Sequence, residues 1–268
     1  KPSDILIGTS AILARKSNLI RKLGLIIVDE QHKFGVEQRE DLLEPIKNIW
    51  GSEYVPHFIN MTATPIPRSI AQAFFDDVSF HLISTKPYGR KPVKTFMIDP
   101  DKKKSCHNWI KNQISKGEQV YWVCPLIAES EKLDLNSAEK TFKELKKIFL
   151  GNRVALLHGK MKETDKLQIM SDFSQHKYDI LVSTSVIEVG IDIPNATIII
   201  VENSERFGLA QIHQIRGRVG RSEKQSWCFL FYNKDSNEDT INRLKFLTQN
   251  NDGLKIAEYD LESRGPGE

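Results

Sequence analysis

Short apolar runs, each closed by polar residues, recur along the chain at 25–28, 58–62, 120–124, 154–157, 179–182, 198–201 and 228–231. Leu25-Ile26-Ile27-Val28, held between Gly24 and Asp29-Glu30, sets the pattern. Such a run has no polar face to offer water. A strand made from it must be covered on both sides, as in a parallel sheet. Helical patterns separate the later runs. One spans 136–149, opened by Asn136 and Glu139 and carrying Ala138, Phe142, Leu145 and Phe149 on one face; another spans 164–173. Alternating strands and helices predict an α/β fold built on parallel sheets.

Open α/β sheets present ligands at the carboxyl ends of their strands, so the residues closing each run carry the functional reading. Asp29-Glu30-Gln31-His32 closes the first. One carboxylate there can hold Mg²⁺ through water while the next polarises an attacking water; a solvated acidic pair has the same composition. Thr62-Ala63-Thr64-Pro65 closes the second run, where small hydroxyls can bridge two sites or serve an ordinary turn before proline. Residues 183–192 form a polar loop in which Thr184 and Ser185 can donate to a phosphate and Asp192 can accept from a ribose hydroxyl. A capped helix start would explain the serines but not the ending Gly190-x-Asp192.

The segment 211–221 reads Gln-Ile-His-Gln-Ile-Arg-Gly-Arg-Val-Gly-Arg. On one helix, Gln211, Gln214, Arg218 and Arg221 project along a single face, while Ile212, Ile215 and Val219 anchor it in a core. Planar, permanently charged guanidinium groups in that array suit a polyphosphate, although a solvated basic face has the same spacing. Gly217 and Gly220 are expected to leave gaps for close approach by an anion or a second lobe.

The 268 residues suit two domains. Residues 86–92, Lys-Pro-Tyr-Gly-Arg-Lys-Pro, read as a linker, and Lys102-Lys103-Lys104 as a solvated turn. Elements are also expected at 4–8 (strand), 11–13 and 69–75 (helices). In the tail, Ile241, Leu244 and Leu247 predict a short helix, Asn251-Asp252-Gly253 a turn, and 254–261 a second helix folding back. Three separated cysteines lack metal-ligand spacing and point to a reducing compartment. With no signal-like or bilayer-length apolar run, the expected location is cytoplasmic. A net charge of +3 permits nucleic acid without demanding it.

Taken together, these segments resemble the ordered motifs of superfamily 2 helicases. Asp29-Glu30-Gln31-His32 is similar to the second motif, the Thr62 segment to the third, 183–192 to the fifth and 211–221 to the sixth. Lys33-Phe34-Gly35-Val36, Ile66-Pro67-Arg68 and the stretch from Glu202 to Ala210 extend the likeness to the RecG family over essentially the whole chain. The transcription-repair coupling factor is the nearest relative and the alternative. Gln31-His32 favours RecG over the Glu-Gln expected there in the coupling factor.

The resemblance implies tandem RecA-like lobes, the first partial, followed by a helical hairpin. Its limits are 1–86 for the first lobe, 87–93 for the linker, 94–234 for the second lobe and 235–268 for the hairpin and the start of a translocation motif. ATP and Mg²⁺ are the implied cofactors, branched or forked DNA the partner, and the protein is expected to be monomeric with no membrane contact. By the same resemblance, Asp29, Glu30, Gln214, Arg218 and Arg221 are catalytic, with the two acids serving the metal. His32, Gly190 and Asp192 are assigned to the nucleotide, and Thr62, Thr64 and Arg264 to coupling. Thr9, Ser10, His158, Gly159, Thr184 and Ser185 are assigned to DNA.

One departure stands out. The chain contains no Gly-x-x-x-x-Gly-Lys-Ser/Thr; its only Gly-Lys, Gly159-Lys160, lacks both the upstream glycine and the following hydroxyl. The expectation is therefore an internal piece of a larger motor, unable to hydrolyse ATP alone, without a junction-splitting wedge. A non-hydrolysing DNA- or protein-binding module is the alternative from another class.

Overall fold

The computed structural model describes residues 5–9, 24–29, 56–62, 79, 81–83, 85, 89–125, 131–184 and 193–264, with backbone alone at 131–136 and 264. The chain divides into two compact units, Lys1–Pro65 and Ile66–Glu268. That division falls ahead of the 87–93 segment, and most residues between the two points lie outside the described set. So do the helices expected at 11–13 and 69–75.

In the first unit, strands β1 (Leu25–Val28) and β2 (His57–Asn60) pair in parallel, Val28 opposite Asn60. Ile26 and Val28 are buried, but Leu25 and Ile27 are exposed, so β1 alternates where burial on both faces was expected. The strand expected at 4–8 is also absent over residues 5–8: Ile5, Leu6 and Ile7 are exposed and in no ladder. Apolar character alone does not make a strand without a neighbour to pair with.

The second unit carries a six-stranded, all-parallel sheet in the order β3-β8-β7-β4-β6-β5. Its strands are β3 (Lys94–Ile98), β4 (Gln119–Cys124), β5 (Val154–Leu157), β6 (Ile180–Thr184), β7 (Ala196–Val201) and β8 (Trp227–Phe231). The helices are α1 (Lys103–Ile114), α2 (Glu131–Ile148), α3 (Glu163–Ser174), α4 (Leu209–Arg216), α5 (Glu238–Gln249) and α6 (Gly253–Arg264). Period-two alternation sends successive side chains to opposite faces. Val120, Trp122, Ile198, Ile200, Phe229 and Phe231 therefore pack with Cys106 and Ile110 of α1 and Leu145 of α2. Tyr121, Val123, Ile199, Val201, Cys228 and Leu230 pack with Phe173 of α3, Ile212 of α4 and Leu247 of α5. Both faces are covered, as the apolar runs required.

Two expectations shift. α2 starts at Glu131, placing Asn136 inside the helix rather than at its cap, because the preceding Glu-Lys-Leu-Asp residues can themselves be helical. Lys103 and Lys104 open α1 instead of forming a turn, after a 3₁₀ turn at Pro100–Lys102. The tail forms the expected hairpin. Leu244 and Leu247 are buried on α5, the Asn237 side chain caps it by accepting from the Thr240 amide at 2.9 Å, and Phe246 stacks on Tyr259 of α6 with ring centroids 3.9 Å apart. Arg264 is the last residue of α6 rather than part of an emerging loop. No helix among the described residues is long and apolar enough to cross a membrane.

Candidate functional site

In the first unit, parallel pairing aligns the ends of β1 and β2. The Met61 amide donates to the Val28 carbonyl at 2.8 Å, extending the ladder one step beyond Asn60. Asp29 and Thr62 follow on adjacent strand ends, and the Asp29 residue is exposed. The predicted acid and hydroxyl segments thus leave the sheet side by side at its carboxyl edge. Asp29 supplies hard oxygen donors, which fits Mg²⁺, an ion that keeps several waters and takes only one or two carboxylates. Thr9 is exposed and in no regular element. Ser10, Glu30, His32 and Thr64 lie outside the described residues, as do Ser185, Gly190 and Asp192 of the second unit.

Two groups in the second unit occupy opposite edges of the six-stranded sheet. At the carboxyl edge, Leu157 of β5 pairs with Ser183 of β6, and His158 and Thr184 each lie one residue further on. The Met161 amide closes a turn onto the His158 carbonyl at 3.2 Å, leaving Gly159 and Lys160 exposed. His158 Nδ1, Ser183 Oγ and Thr184 Oγ1 are all buried without a hydrogen-bond partner. A buried hydroxyl left unpaired costs about 1–3 kcal/mol; the Thr184 position shares its sheet face with His158, while Ser183, one residue earlier, faces the other side. Burial lowers the His158 pKa, Glu139 opposes that shift, and Lys166 and Lys160 add to it. A neutral ring on the same face as the Thr184 hydroxyl, with lysines nearby, can meet a phosphate oxygen by donation.

The arginine segment sits elsewhere. α4 descends from the carboxyl end of β7 towards the amino end of β8, and it stops at Arg216, not Arg221. Gly217 caps it, and its amide donates to the His213 carbonyl at 3.0 Å. Arg218 and Val219 continue as a tighter turn, bonded to Ile215 and Arg216 at 3.0 and 3.3 Å. The single helical face therefore holds Gln211 and Gln214 but breaks before Arg218 and Arg221. Ile212, Ile215 and Val219 are buried as anchors. Arg221 Nε donates back to the Gly217 carbonyl at 3.3 Å, steering its side chain along the turn.

The glycines do not serve as open gaps. Gly220 has φ +78°, a left-handed conformation that favours glycine, and a Cβ there would meet Val93 Cγ2 at 2.8 Å. At Gly217, φ is −66° and a Cβ would lie 3.2 Å from the Gln214 carbonyl oxygen. Both fit the local chain path.

Sequence reasoning overlooked Arg216. It is 3% exposed, and its Nη1 donates to Thr95 Oγ1 at 3.3 Å and to the Leu247 and Asn250 carbonyls at 3.0 Å each. Nη2 lies 2.8 Å from His213 Nδ1. Because a guanidinium only donates, that nitrogen must accept, which fixes His213 as the tautomer carrying its proton on Nε2. Burial draws the Arg216 pKa down. The cation meets carbonyls at the end of α5, where a helix carries partial negative charge. An arginine four residues after Ile212, on the apolar face, was the signal available.

The family model described as DEAD/DEAH box helicase matches residues 1–73, and that described as helicase conserved C-terminal domain matches 101–223. The chain is 45% identical over 266 residues to the ATP-dependent DNA helicase RecG of Thermotoga maritima, covering 99% of this chain and 33% of that protein. It is 47% identical over 269 residues to the protein of the same name from Streptococcus pneumoniae serotype 4, covering 99% and 38%. A solved structure of RecG bound to a three-way DNA junction matches with a TM-score of 0.76 at 40% identity, over 96% of this chain and 32% of that one. The chain spans about a third of the length of the curated relatives it matches.

Proposed function

The chain belongs to the RecG family, and from that premise we propose that it is the motor segment of an ATP-dependent DNA helicase and translocase. In the cell it remodels stalled forks and branched junctions in repair and recombination, as a cytoplasmic monomer. The observation that carries this reading is identity of 42–47% to RecG proteins running through nearly the whole chain. The lobe and linker limits at 1–86, 87–93, 94–234 and 235–268 belong to the same proposal.

Each residue then has a task. Asp29 and Glu30 hold Mg²⁺, partly through water, and Glu30 orients the attacking water. The ion supplies charge neutralisation at the phosphate oxygens. Arg218 and Arg221, with Gln214, meet the charge that develops on the transferred phosphoryl group. His32, Gly190 and Asp192 contact the nucleotide. Thr9, Ser10, His158, Gly159, Thr184 and Ser185 track the DNA backbone, which positions without reading sequence. Thr62, Thr64 and Arg264 link the two activities.

The test is DNA-stimulated ATP hydrolysis by the longer protein that carries this chain and a phosphate-binding loop. Asp29→Ala should abolish turnover, and Arg221→Lys should lower it on the order of 10³-fold, since lysine lacks the guanidinium fork. Near-normal turnover in Arg221→Lys would make the arginine turn structural. The 268-residue chain by itself should show negligible hydrolysis, lacking the Gly-Lys-Ser/Thr cradle. Robust turnover by that chain would overturn the assignment of roles.

A further inference from the structure

Residues 89–94, which lead into β3, run directly alongside the turn that carries Arg218 and Arg221. The Lys94 amide donates to the Ser226 carbonyl at 3.0 Å. One side-chain amide, Gln225 Nε2, spans both strands of this contact, donating to the Pro92 carbonyl at 2.9 Å and to the Ser226 carbonyl at 3.0 Å. Val93 packs against Gly220 so closely that a Cβ on the glycine would meet its Cγ2 at 2.8 Å. Gly89, at φ +84°, approaches Glu223 with only 3.0 Å between a built Cβ and Oε1. The turn is braced internally too, because the Gly220 amide donates to Ser226 Oγ at 3.1 Å and Ser226 is buried.

On its other side the same loop is held to the amino edge of the sheet. Ser222 Oγ donates to the Pro194 carbonyl at 3.2 Å, and Lys224 Nζ reaches Glu118 Oε1 at 3.1 Å and Asn195 Oδ1 at 3.3 Å. Glu118 in turn accepts from Thr197 Oγ1 at 2.7 Å. The Pro194–Glu118 side is therefore fixed to the sheet. The side facing 89–93 is fixed to a proline- and glycine-containing segment outside any regular element, tied in chiefly by Gln225, Val93 and Gly220.

We propose that segment 89–93 is a strap that sets the position of the arginine turn, with Gln225 as the positioning residue that fastens it. Its role rests on the reading of Arg221 given above, because the strap acts on turnover only through the turn. Gln225 touches no reacting atom. It holds the backbone from which Arg221 projects, so movement of the chain entering β3 is transmitted to the arginine rather than absorbed by slack.

The test uses two readouts. In amide hydrogen exchange on the 268-residue chain, Gln225→Leu should raise exchange across 217–226 by about three- to tenfold, the effect of one lost hydrogen bond, with the rest of the sheet unchanged. Gln225→Lys keeps a donor within reach of Pro92 and should restore protection. In the longer protein, Gln225→Leu should lower kcat for DNA-stimulated ATP hydrolysis several-fold with KM for ATP unchanged, and should have no further effect in an Arg221→Ala background. Unaltered exchange in Gln225→Leu overturns the strap, whatever the arginine does. Faster exchange with wild-type kcat overturns the positioning role. Wild-type kcat in Arg221→Ala overturns the arginine reading and the strap's link to turnover, while exchange still reports whether the fastening exists.

Discussion

The contrast between the two glycines of the arginine turn yields a quantitative prediction. Replacing Gly220 by alanine forces an L-residue to hold φ +78°, which costs about 1–2 kcal/mol. The new methyl would also lie 2.8 Å from Val93 Cγ2, and overpacking of that kind adds about 1–3 kcal/mol. The expected loss is about 2–5 kcal/mol, or about 4–20 °C in Tm for a unit of this size. Gly217→Ala behaves differently. Its φ of −66° suits any residue, and the contact with the Gln214 carbonyl at 3.2 Å is tight but not prohibitive. The reduced freedom of the unfolded chain favours alanine by about 0.4–1 kcal/mol, so the net change should stay within about 1 kcal/mol. Three of the four tryptophans, Trp109, Trp122 and Trp227, lie in the second unit and Trp50 in the first, so tryptophan fluorescence in a Trp50→Phe background reports on the second unit during thermal or urea unfolding. Adding Val93→Ala to Gly220→Ala should recover about 1 kcal/mol relative to additivity, because the clashing methyl is gone. Equal midpoints for Gly220→Ala and Gly217→Ala, or strict additivity with Val93→Ala, would refute the reasoning.

Three further outcomes follow from buried groups elsewhere in the second unit. Arg216→Ala should destabilise by about 2–4 kcal/mol in urea, leaving the Leu247 and Asn250 carbonyls short of a donor; Arg216→Met, which fills the space without burying a charge, should cost clearly less. His107 is held neutral with its pKa lowered to about 4, by burial first and then by Lys103 and Lys111. A depressed histidine favours folding fully above its ordinary value near 6.5, and that contribution is lost as pH falls towards 4. His107→Phe should therefore flatten the urea midpoint against pH across that window. Thr184→Val should leave stability unchanged or raise it by about 1 kcal/mol, since it removes an orphaned hydroxyl. The same change should weaken DNA binding by the longer protein, and weakened folding with unchanged DNA affinity would reverse the assignment.

What the sequence revealed depended on whether local pattern decided the outcome. The runs at 120–124, 198–201 and 228–231 became central or near-central strands because unbroken apolar character leaves a buried sheet as the stable arrangement. β3 escaped notice because it opens on Lys94 and Thr95 and leaves only Phe96, Met97 and Ile98 as an apolar run. α1 was hidden by the lysine triplet that ends the 3₁₀ turn and opens the helix, although Cys106, Ile110 and Ile114 recur every four residues and are all buried. The arginine segment was legible in composition but not in shape. Helical spacing continues through Gly217, yet the chain turns there because Gly220 and Val93 require a different path. That requirement comes from a contact across more than a hundred positions, which no local pattern encodes. Arg216 was passed over for the same reason: its partners Thr95 in β3 and Leu247 and Asn250 at the end of α5 come from two segments remote in sequence.

The six-stranded sheet carries His158 and Thr184 at one end of its strands and the arginine turn at the other. A strand of five residues is about 17 Å long, and its cross-strand hydrogen bonds resist shear along that length. The second unit therefore resists bending as a stiff bar, with His158 and Thr184 at one tip and the arginine turn at the other. Rotating it by about 10° around its middle would swing each tip by about 1.5 Å, in opposite senses, across that same strand length. An advance at the arginine tip then obliges a retreat of equal size at the hydroxyl tip, without any rearrangement inside the sheet.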